Sequence, residues 1–256
     1  MKPKNTNRTV HSVLLLAAFS LEEKALFKAI ERAKKGKING LTDLGIKVFN
    51  MGAGRKRSLY SLKKYLDRNH PDFVLLTGIA GGVFPDLKAG DIVFPREVCL
   101  VEESGKISDS LSLSSKSNGD FMNILRSKYK VYDVPKLATV DRLFHKQDKV
   151  KLNNIDNSIA LVDMESYGVV DLLRARKIPF LLFRVVSDPL NSKFPDDSFF
   201  RSLAELRGLK KWKLIFQRPL MCLRFLGMLP ALNKGLKILS KAVYIFISNA
   251  WRLTAE

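Results

Sequence analysis

The segment Asp72-Phe-Val-Leu-Leu-Thr77 is a continuous apolar run that stops at Gly78-Ile-Ala-Gly-Gly82. An apolar run of this length, bounded by glycine, is typical of a central strand that is covered on both faces. Other strand-like runs alternate with stretches of helical spacing; they lie at 10–18, 45–51, 90–94, 136–141, 159–164 and 180–187. The alternation over residues 10 to 190 predicts an α/β sheet flanked by helices.

The N-terminal segment permits two interpretations. Three basic residues precede the apolar run 13–19, as in a short signal peptide. A first strand over Val10–Ala18 is favoured, because Glu22 and Glu23 follow where a cleavage site needs small residues. Ser20 as the N-cap, with Glu23 three residues later, predicts a capping box at the start of the first helix.

Net charge is the unusual property of this 256-residue chain, with 44 Lys and Arg against 25 Asp and Glu, or +19. Ten basic residues and no acidic ones lie between Arg207 and Arg252, so the rest of the chain carries +9. A uniformly basic chain would suggest nucleic acid, but a basic tail favours the surface of an anionic membrane. No uncharged apolar stretch reaches the roughly 18 residues of a spanning helix. We therefore expect a cytoplasmic protein, peripheral at most at the inner face of the membrane, and no nucleic-acid partner.

The change in composition after Asp197 predicts two units, a catalytic domain over 1–200 and a helical extension over 201–256. Helical spacing in the extension predicts two amphipathic helices. The second has an apolar stripe made of Leu232, Leu236, Leu239, Val243 and Phe246. Two interpretations are open: the stripes pack on the α/β core, or residues 205–256 lie on an anionic bilayer with Trp212 and Trp251 at interfacial depth.

The spacing of the possible metal ligands argues against a metal site. The two cysteines and three histidines have no zinc-binding spacing, so no metal site is expected. Residues 104–120 are rich in serine and polar, which predicts a surface loop.

Small or polar residues follow three predicted strands, at 77–82, 161–165 and 184–188. In open α/β sheets, ligands bind outside the carboxyl ends of the strands, so these segments are expected to meet at one site. Each segment alone is a weak signal, since a strand that ends in Ser-Asp-Pro is often only a helix cap.

Four blocks in this order resemble the nucleoside phosphorylase superfamily. They are Leu76-Thr-Gly-Ile-Ala-Gly-Gly-Val, Lys88-Ala-Gly-Asp-Ile-Val, Val162-Asp-Met-Glu-Ser and Phe183-Arg-Val-Val-Ser-Asp. Within this superfamily, the residue sequences of the blocks and the basic tail are most similar to those of hopanoid-associated phosphorylases, which act on adenosylhopane. The resemblance implies a three-layer αβα fold with a central mixed sheet, a homo-oligomer, and an enzyme that cleaves the N-glycosidic bond of a purine nucleoside.

The resemblance also implies roles for individual residues. Asp188 is the acid that protonates the leaving purine, Glu22 activates water, and Arg184 positions water or phosphate. A neutral acid at Asp188 would need a partly desolvated pocket. The residues implied to bind the nucleoside are Ala80, Gly81, Leu143, Phe144, Met164, Glu165 and Ser187.

The chain departs from the family pattern at three positions. Ile79 replaces a serine, Leu76 replaces an arginine of several purine phosphorylases, and Asp163 stands where nucleosidases carry Glu. Residues Gly52, Gly54 and Arg55 could still supply backbone N–H groups and a guanidinium to phosphate. Phosphate is thus a possible co-substrate, no other cofactor is expected, and phosphorolysis and hydrolysis both stay open.

Three functions are compatible with the sequence. The favoured one is cleavage of an adenine nucleoside with a lipophilic 5′ substituent, such as adenosylhopane. The alternatives are a methylthioadenosine/S-adenosylhomocysteine nucleosidase and a non-catalytic basic module that binds membrane or nucleic acid.

Overall fold

A computed structural model describes residues 8–36, 44–113, 116–192, 219–249 and 254–255. The strands are β1 (Arg8–Thr9), β2 (Ser12–Ala17), β3 (Gly45–Asn50), β4 (Phe73–Leu76), β5 (Ile79–Gly82), β6 (Ile92–Val101), β7 (Ile107–Ser112), β8 (Val131–Thr139), β9 (Ile159–Asp163), β10 (Phe180–Leu182), β11 (Arg184–Asp188) and β12 (Thr254–Ala255). The helices are α1 (Ser20–Lys35), α2 (Arg55–Leu66), α3 (Lys116–Arg126), α4 (Lys146–Ile155), α5 (Ser166–Ala175) and α6 (Pro219–Asn249).

Four strands form a parallel sheet in the order β10-β4-β2-β3. Alternate residues of β2 point to opposite faces: Val13 and Leu15 join a core that includes α1 and α6, whereas Leu14 and Leu16 join a core that includes α2 and α5. Helices therefore cover both faces, which is why β2 and β4 are apolar throughout. The predicted three-layer α/β fold is confirmed.

A mixed six-stranded sheet follows in the order β11-β5-β9-β8-β6-β7. It closes on itself, because Arg184 and Val185 of β11 also pair with Val93 and Ile92 of β6. Only Gly78 and Thr77 separate β4 from β5, and only Phe183 separates β10 from β11. The predicted strands at 72–77 and 180–187 thus each continue, across a break, into the second sheet.

The predicted capping box is wrong. Helix α1 has Phe19 at its N-cap, with no side-chain hydrogen bond. The Glu23 carboxylate instead accepts a hydrogen bond from the Asn50 side-chain amide at 3.0 Å. The neighbouring Glu22 carboxylate binds the N–H of Ala18 at 2.7 Å, which supplies the local contact at this helix end.

The predicted loop over 104–120 is also wrong. Residues Ile107–Ser112 form β7, which pairs antiparallel with β6 at the edge of the second sheet, and α3 starts at Lys116. The polar, serine-rich sequence suits an edge strand whose side chains are largely exposed. Helix α4 was not predicted either.

The apolar stripe of the tail lies on a single helix, α6, which continues through Pro230. Leu239, Val243 and Phe246 are buried in the same core as β2 and α1. The Phe246 ring stacks on Phe73 at 6.0 Å, and the Arg32 guanidinium of α1 lies 4.8 Å from the centre of the Tyr244 ring. This half of the tail therefore packs on the α/β core, as the first of the two interpretations has it.

Several predictions for the tail fall outside the described residues: the domain boundary near 200, most of the first amphipathic helix, and Trp212 and Trp251. Among the helices that the structure does describe, none has both the length and the apolar character needed to cross a membrane.

Candidate active site

The predicted strand-end residues gather where the first sheet continues into the second. Glu22 follows β2, Gly78 follows β4, Glu165 follows β9, and Asp188 ends β11. The strands β2 and β4 are parallel in the first sheet, but β9 runs antiparallel to β5 and β11 in the second. These residues become neighbours because β4 continues through Gly78 into β5, which lies between β9 and β11.

Glu22 is buried, and backbone N–H groups hold its carboxyl group. Oε2 accepts from Ala18 and Oε1 accepts from Ile79, each at 2.7 Å. Burial raises the pKa of Glu22 above its usual value, and the Arg184 charge and these hydrogen bonds only partly oppose that effect. A carboxyl group with a raised pKa can exchange a proton closer to neutral pH.

Gly78 lies between Glu22 and Arg184. A Cβ at this position would collide with Glu22 Oε1 and would lie 2.8 Å from Arg184 Nη1. Gly78 is therefore required for the close approach of the carboxyl group and the guanidinium, which explains the glycine directly after β4.

Arg184 is buried and is bound mainly by Asp163. Its Nε and Nη2 donate to Asp163 Oδ2 at 3.0 and 2.7 Å, and Nη2 also donates to Ser166 Oγ at 2.7 Å. The other oxygen of Asp163 accepts from Thr139 Oγ1 at 2.8 Å and from the backbone N–H of Ser166. Asp163 thus caps α5 and orients Arg184, which leaves Nη1 as the nitrogen nearest Gly78.

Glu165 completes a buried cluster of three carboxyl groups around one guanidinium. Its Oε1 accepts from the backbone N–H of Gly54 at 2.7 Å. Burial, and then the negative charge of Asp163, raise the pKa of Glu165 to about 8. Arg184 is the cation that faces both Glu22 and Glu165.

The three residues predicted for phosphate are engaged in other contacts. The N–H of Gly54 binds Glu165, and that of Gly52 binds Asn50 Oδ1 at 3.1 Å. The Arg55 guanidinium binds both carboxylate oxygens of Asp141, at 2.9 and 2.7 Å. Gly52 and Gly54 have φ angles of 82° and 90°, which favour glycine. These glycines thus shape the turn into α2 and bind Glu165, and a phosphate site at these residues stays a prediction.

Asp188 lies at the end of β11, beside Gly81 of β5, and Gly81 is two residues along from Ile79, which binds Glu22. Asp188 and Gly81 are paired in register, and a Cβ on Gly81 would lie 2.7 Å from Asp188 Oδ2. Ser187 Oγ donates to Asp188 Oδ1 at 2.7 Å and lies 3.4 Å from the carbonyl oxygen of Ala80. Ser187 thus orients the Asp188 carboxyl group beside Gly81.

The Asp188 carboxyl group is paired with a buried lysine that was not predicted from the sequence. Lys149 Nζ lies 2.6 Å from Asp188 Oδ2 and 2.9 Å from its carbonyl oxygen. The Lys149 side chain is 2% exposed and that of Asp188 is 13% exposed. Sequence analysis missed this lysine; the available signal is that Lys149 and Leu152, three residues apart, share the buried face of α4.

Of the residues predicted to face the base and the ribose, Phe144 and Met164 contact a common apolar cluster. Both side chains are half-buried, and the cluster contains Val162. Leu143 is half-buried beside Phe144, and its carbonyl oxygen accepts from Arg142 at 3.2 Å. Within the described ranges, no group of three His, Cys, Asp or Glu residues could hold a metal ion.

The sequence of this chain matches the model of one known protein family. The model of the phosphorylase superfamily matches residues 58–207, which is more than half of the chain. The chain belongs to the phosphorylase superfamily. This membership confirms the predicted superfamily and the predicted class of enzyme, one that cleaves N-glycosyl bonds.

Relatives of this superfamily member include two bacterial 5′-methylthioadenosine/S-adenosylhomocysteine nucleosidases. The protein from Buchnera aphidicola is 27% identical over 178 residues, which cover 64% of this chain and 74% of the relative. The protein from Desulfotalea psychrophila is 26% identical over 190 residues, which cover 66% and 76%.

Solved structures share the fold at lower identity. The nucleosidase from Neisseria meningitidis in complex with methylthio-immucillin-A has a TM-score of 0.65 at 14% identity, over 95% of this chain and all of the other. Futalosine hydrolase of Helicobacter pylori has a TM-score of 0.65 at 16% identity, over 94% and 98%.

Proposed function

We propose that this enzyme hydrolyses the N-glycosidic bond of an adenine nucleoside. The observation that carries the proposal is the buried cluster of Glu22, Asp163 and Glu165 around Arg184, which β5 connects to Asp188: Ile79 of β5 binds Glu22, and Gly81 lies beside Asp188. A reaction that develops positive charge on a ribose needs carboxyl groups close to the sugar and an acid close to the leaving base.

Glu22 is the proposed base for the attacking water. Its raised pKa suits proton uptake near neutrality, and the backbone N–H groups of Ala18 and Ile79 fix its orientation. Arg184 Nη1, on the other side of Gly78, is placed to orient the same water. Glu165 is the proposed acceptor for the ribose hydroxyls, and Asp188 is the proposed group that protonates the purine.

Water is favoured over phosphate as the nucleophile, because the cationic side chains and backbone N–H groups that could bind phosphate already bind other residues. Gly54 donates to Glu165, Arg55 is paired with Asp141, and two nitrogens of Arg184 are held by Asp163 and Ser166. A dianionic phosphate would have to displace these contacts, since each donor binds a carboxylate or a hydroxyl group. The names of the relatives, which are nucleosidases, agree with hydrolysis.

The decisive experiment measures adenine release from adenosine and from 5′-methylthioadenosine, with and without phosphate. We expect release that does not depend on phosphate, with free ribose or its 5′-methylthio derivative as the sugar product. Formation of the sugar 1-phosphate would overturn hydrolysis in favour of phosphorolysis. No release from any nucleoside, combined with salt-sensitive binding of DNA or vesicles, would favour the non-catalytic module instead.

For the finer specificity, we propose a lipophilic 5′ substituent of the adenosylhopane kind, taken from an anionic membrane surface. Gly235 of α6 would place a Cβ 3.5 Å from Ser187 Cα, so this helix passes directly beside the proposed acid. On the same helix, Leu226 lies roughly 14 Å and Leu223 roughly 18 Å from Gly235 along the axis, and they are 56% and 65% exposed. Apolar side chains beside a basic sequence are suited to the interface of an anionic bilayer.

Deleting residues 205 to 256 would remove buried core residues, so point substitutions are the better test of the membrane proposal. We expect the double variant L223E/L226E to lose co-sedimentation with phosphatidylglycerol vesicles and to retain turnover of 5′-methylthioadenosine. The matched control, F27E/Y60E, changes two exposed apolar side chains elsewhere and should still co-sediment. Equal co-sedimentation of both variants would contradict membrane binding through α6. The homo-oligomer and the cytoplasmic location stay predictions.

A further inference from the structure

Lys149 is a buried cation at the end of the site where the purine is proposed to leave. Both of its bonded acceptors belong to Asp188: Oδ2 at 2.6 Å and the carbonyl oxygen at 2.9 Å. A lysine has three N–H donors, and among the described residues no other acceptor binds this one. A Cβ on Gly81 would lie 3.0 Å from Lys149 Nζ, so the ammonium and the Asp188 carboxyl group lie beside the same glycine.

Packing alone does not explain a lysine at this position. Leu152, one turn along α4, already anchors the helix in the apolar cluster that contains Val162. Removing an ammonium group from water is strongly unfavourable unless it is paired, and an apolar side chain would fill the same space without that cost. The ion pair with Asp188 is therefore retained for what it does to Asp188.

We propose that Lys149 supplies, through Asp188, the proton that the departing purine takes up. The inference rests on the proposed function, because it concerns the acid of the same reaction. A carboxyl group bonded to an ammonium is an acceptor, so the pair holds its mobile proton on Lys149. Lys149 is a positioning residue in this scheme, and Asp188 is the group that faces the base.

Proton transfer to the purine accompanies cleavage of the glycosidic bond. The bond between C1′ and N9 breaks, and its electron pair moves onto the purine. The proton passes from Lys149 Nζ to Asp188 and from Asp188 to purine N7, which leaves a neutral amine beside a carboxylate. Water adds to C1′ and gives one proton to Glu22. After the products leave, Glu22 releases that proton to solvent and Lys149 takes one up from solvent.

Leaving groups of different basicity separate this role from a structural one. A purine must be protonated as it leaves, but 4-nitrophenolate leaves without a proton. We would therefore compare 5′-methylthioadenosine with 4-nitrophenyl riboside in two variants, K149M and K149R. Methionine removes the charge. Arginine keeps the charge but does not release a proton in proteins.

Both variants should lose about 10²-fold or more in kcat on the nucleoside, the effect typical of removing a general acid. Both should keep most of their activity on the nitrophenyl riboside. The control is K151M, an exposed lysine on the same helix, which should behave as the wild type. If K149M does not fold, K149R still tests the proton source, because it preserves the ion pair.

Two results would overturn the inference. One is a K149R variant that cleaves the nucleoside at the wild-type rate, since charge alone would then suffice. The other is an equal loss on both substrates in K149R, which would indicate a structural role. A wild-type enzyme that releases no purine from any nucleoside would instead overturn the proposed function, so the two failures are distinguishable.

Discussion

Arg184 donates from two nitrogens to a single oxygen of Asp163, at 3.0 and 2.7 Å, and both side chains are buried. The pair joins the end of β9 to the start of β11 and holds the guanidinium next to Gly78. Everything proposed for Arg184 depends on Asp163, although the resemblance suggested only that Asp163 replaces a glutamate.

Asp163→Asn should therefore be strongly destabilising. The substitution leaves the Arg184 guanidinium buried without its full counter-charge, and breaking a buried pair typically costs about 3 to 5 kcal/mol. The matched control is Asp133→Asn, which breaks the exposed pair with Arg96 and should cost about 1 kcal/mol or less. Urea denaturation of both variants checks the prediction, and similar losses would contradict the assigned role of Asp163.

The raised pKa of Glu165 predicts that the stability of the protein depends on pH. This pKa is about 8 in the folded protein and ordinary, 4.5, in the unfolded chain. Between these pH values the folded state binds more protons than the unfolded state, so the free energy of unfolding falls as pH rises. The limit is about 1.4 kcal/mol for each unit of pKa difference.

Glu165→Gln should flatten this fall between pH 5 and pH 8, leaving the part of the same sign that comes from Glu22. The amide oxygen of the new side chain can still accept from the N–H of Gly54. Glu31→Gln removes an exposed carboxylate from α1 and should leave the slope unchanged. A wild-type slope that persists in Glu165→Gln would show that Glu165 is not the group responsible.

Glu22→Gln tests the proposed base. Loss of the proton acceptor should lower kcat by about 10²-fold or more. In the wild type, kcat/KM should rise with pH through the raised pKa of Glu22, because the base acts when it is deprotonated. Glu23→Gln, one residue along and bonded to Asn50, should keep both the rate and the pH profile. If the two variants are equally active, water is activated by another group.

Two leucines of α6 test which half of the helix belongs to the core. Leu239→Ala, at a fully buried position, should cost about 2 to 5 kcal/mol of unfolding free energy. Leu226→Ala, at a position 56% exposed, should change it by about 0.5 kcal/mol or less. Comparable costs at both positions would mean that the exposed leucine is covered in solution, for example by a second copy of the chain.

Much of the fold follows from hydrophobic pattern. The apolar runs that became β2 and β4 are buried on both faces, so their sequences carry little ambiguity. The edge strand β7 was missed because its side chains are exposed and its sequence therefore has the composition of a loop. The capping box failed because Asn50, in a neighbouring strand, is a partner for Glu23 that no local pattern contains.

The site residues that lie at the ends of strands could be predicted from the sequence. Glu22 and Glu165 lie just after strands and Asp188 ends one, whereas Arg184 starts β11 and reaches the cluster through Asp163. Lys149 was not found, because a lysine in a polar helix is most often solvated, and only the fold places it next to Asp188. The contacts of Gly54 and Arg55 were missed for the same reason, since their partners lie 111 and 86 residues away in the sequence.

The packing of α6 on α1 has a consequence for the order of folding during synthesis. Helix α1 carries Glu22 and is synthesised well before α6, but the apolar face beneath it is covered by residues 239 to 247. A ribosome-bound chain that still lacks those residues exposes this face and cannot hold Glu22 firmly. We expect the nascent polypeptide to stay inactive, and to need protection from aggregation, until α6 has been synthesised.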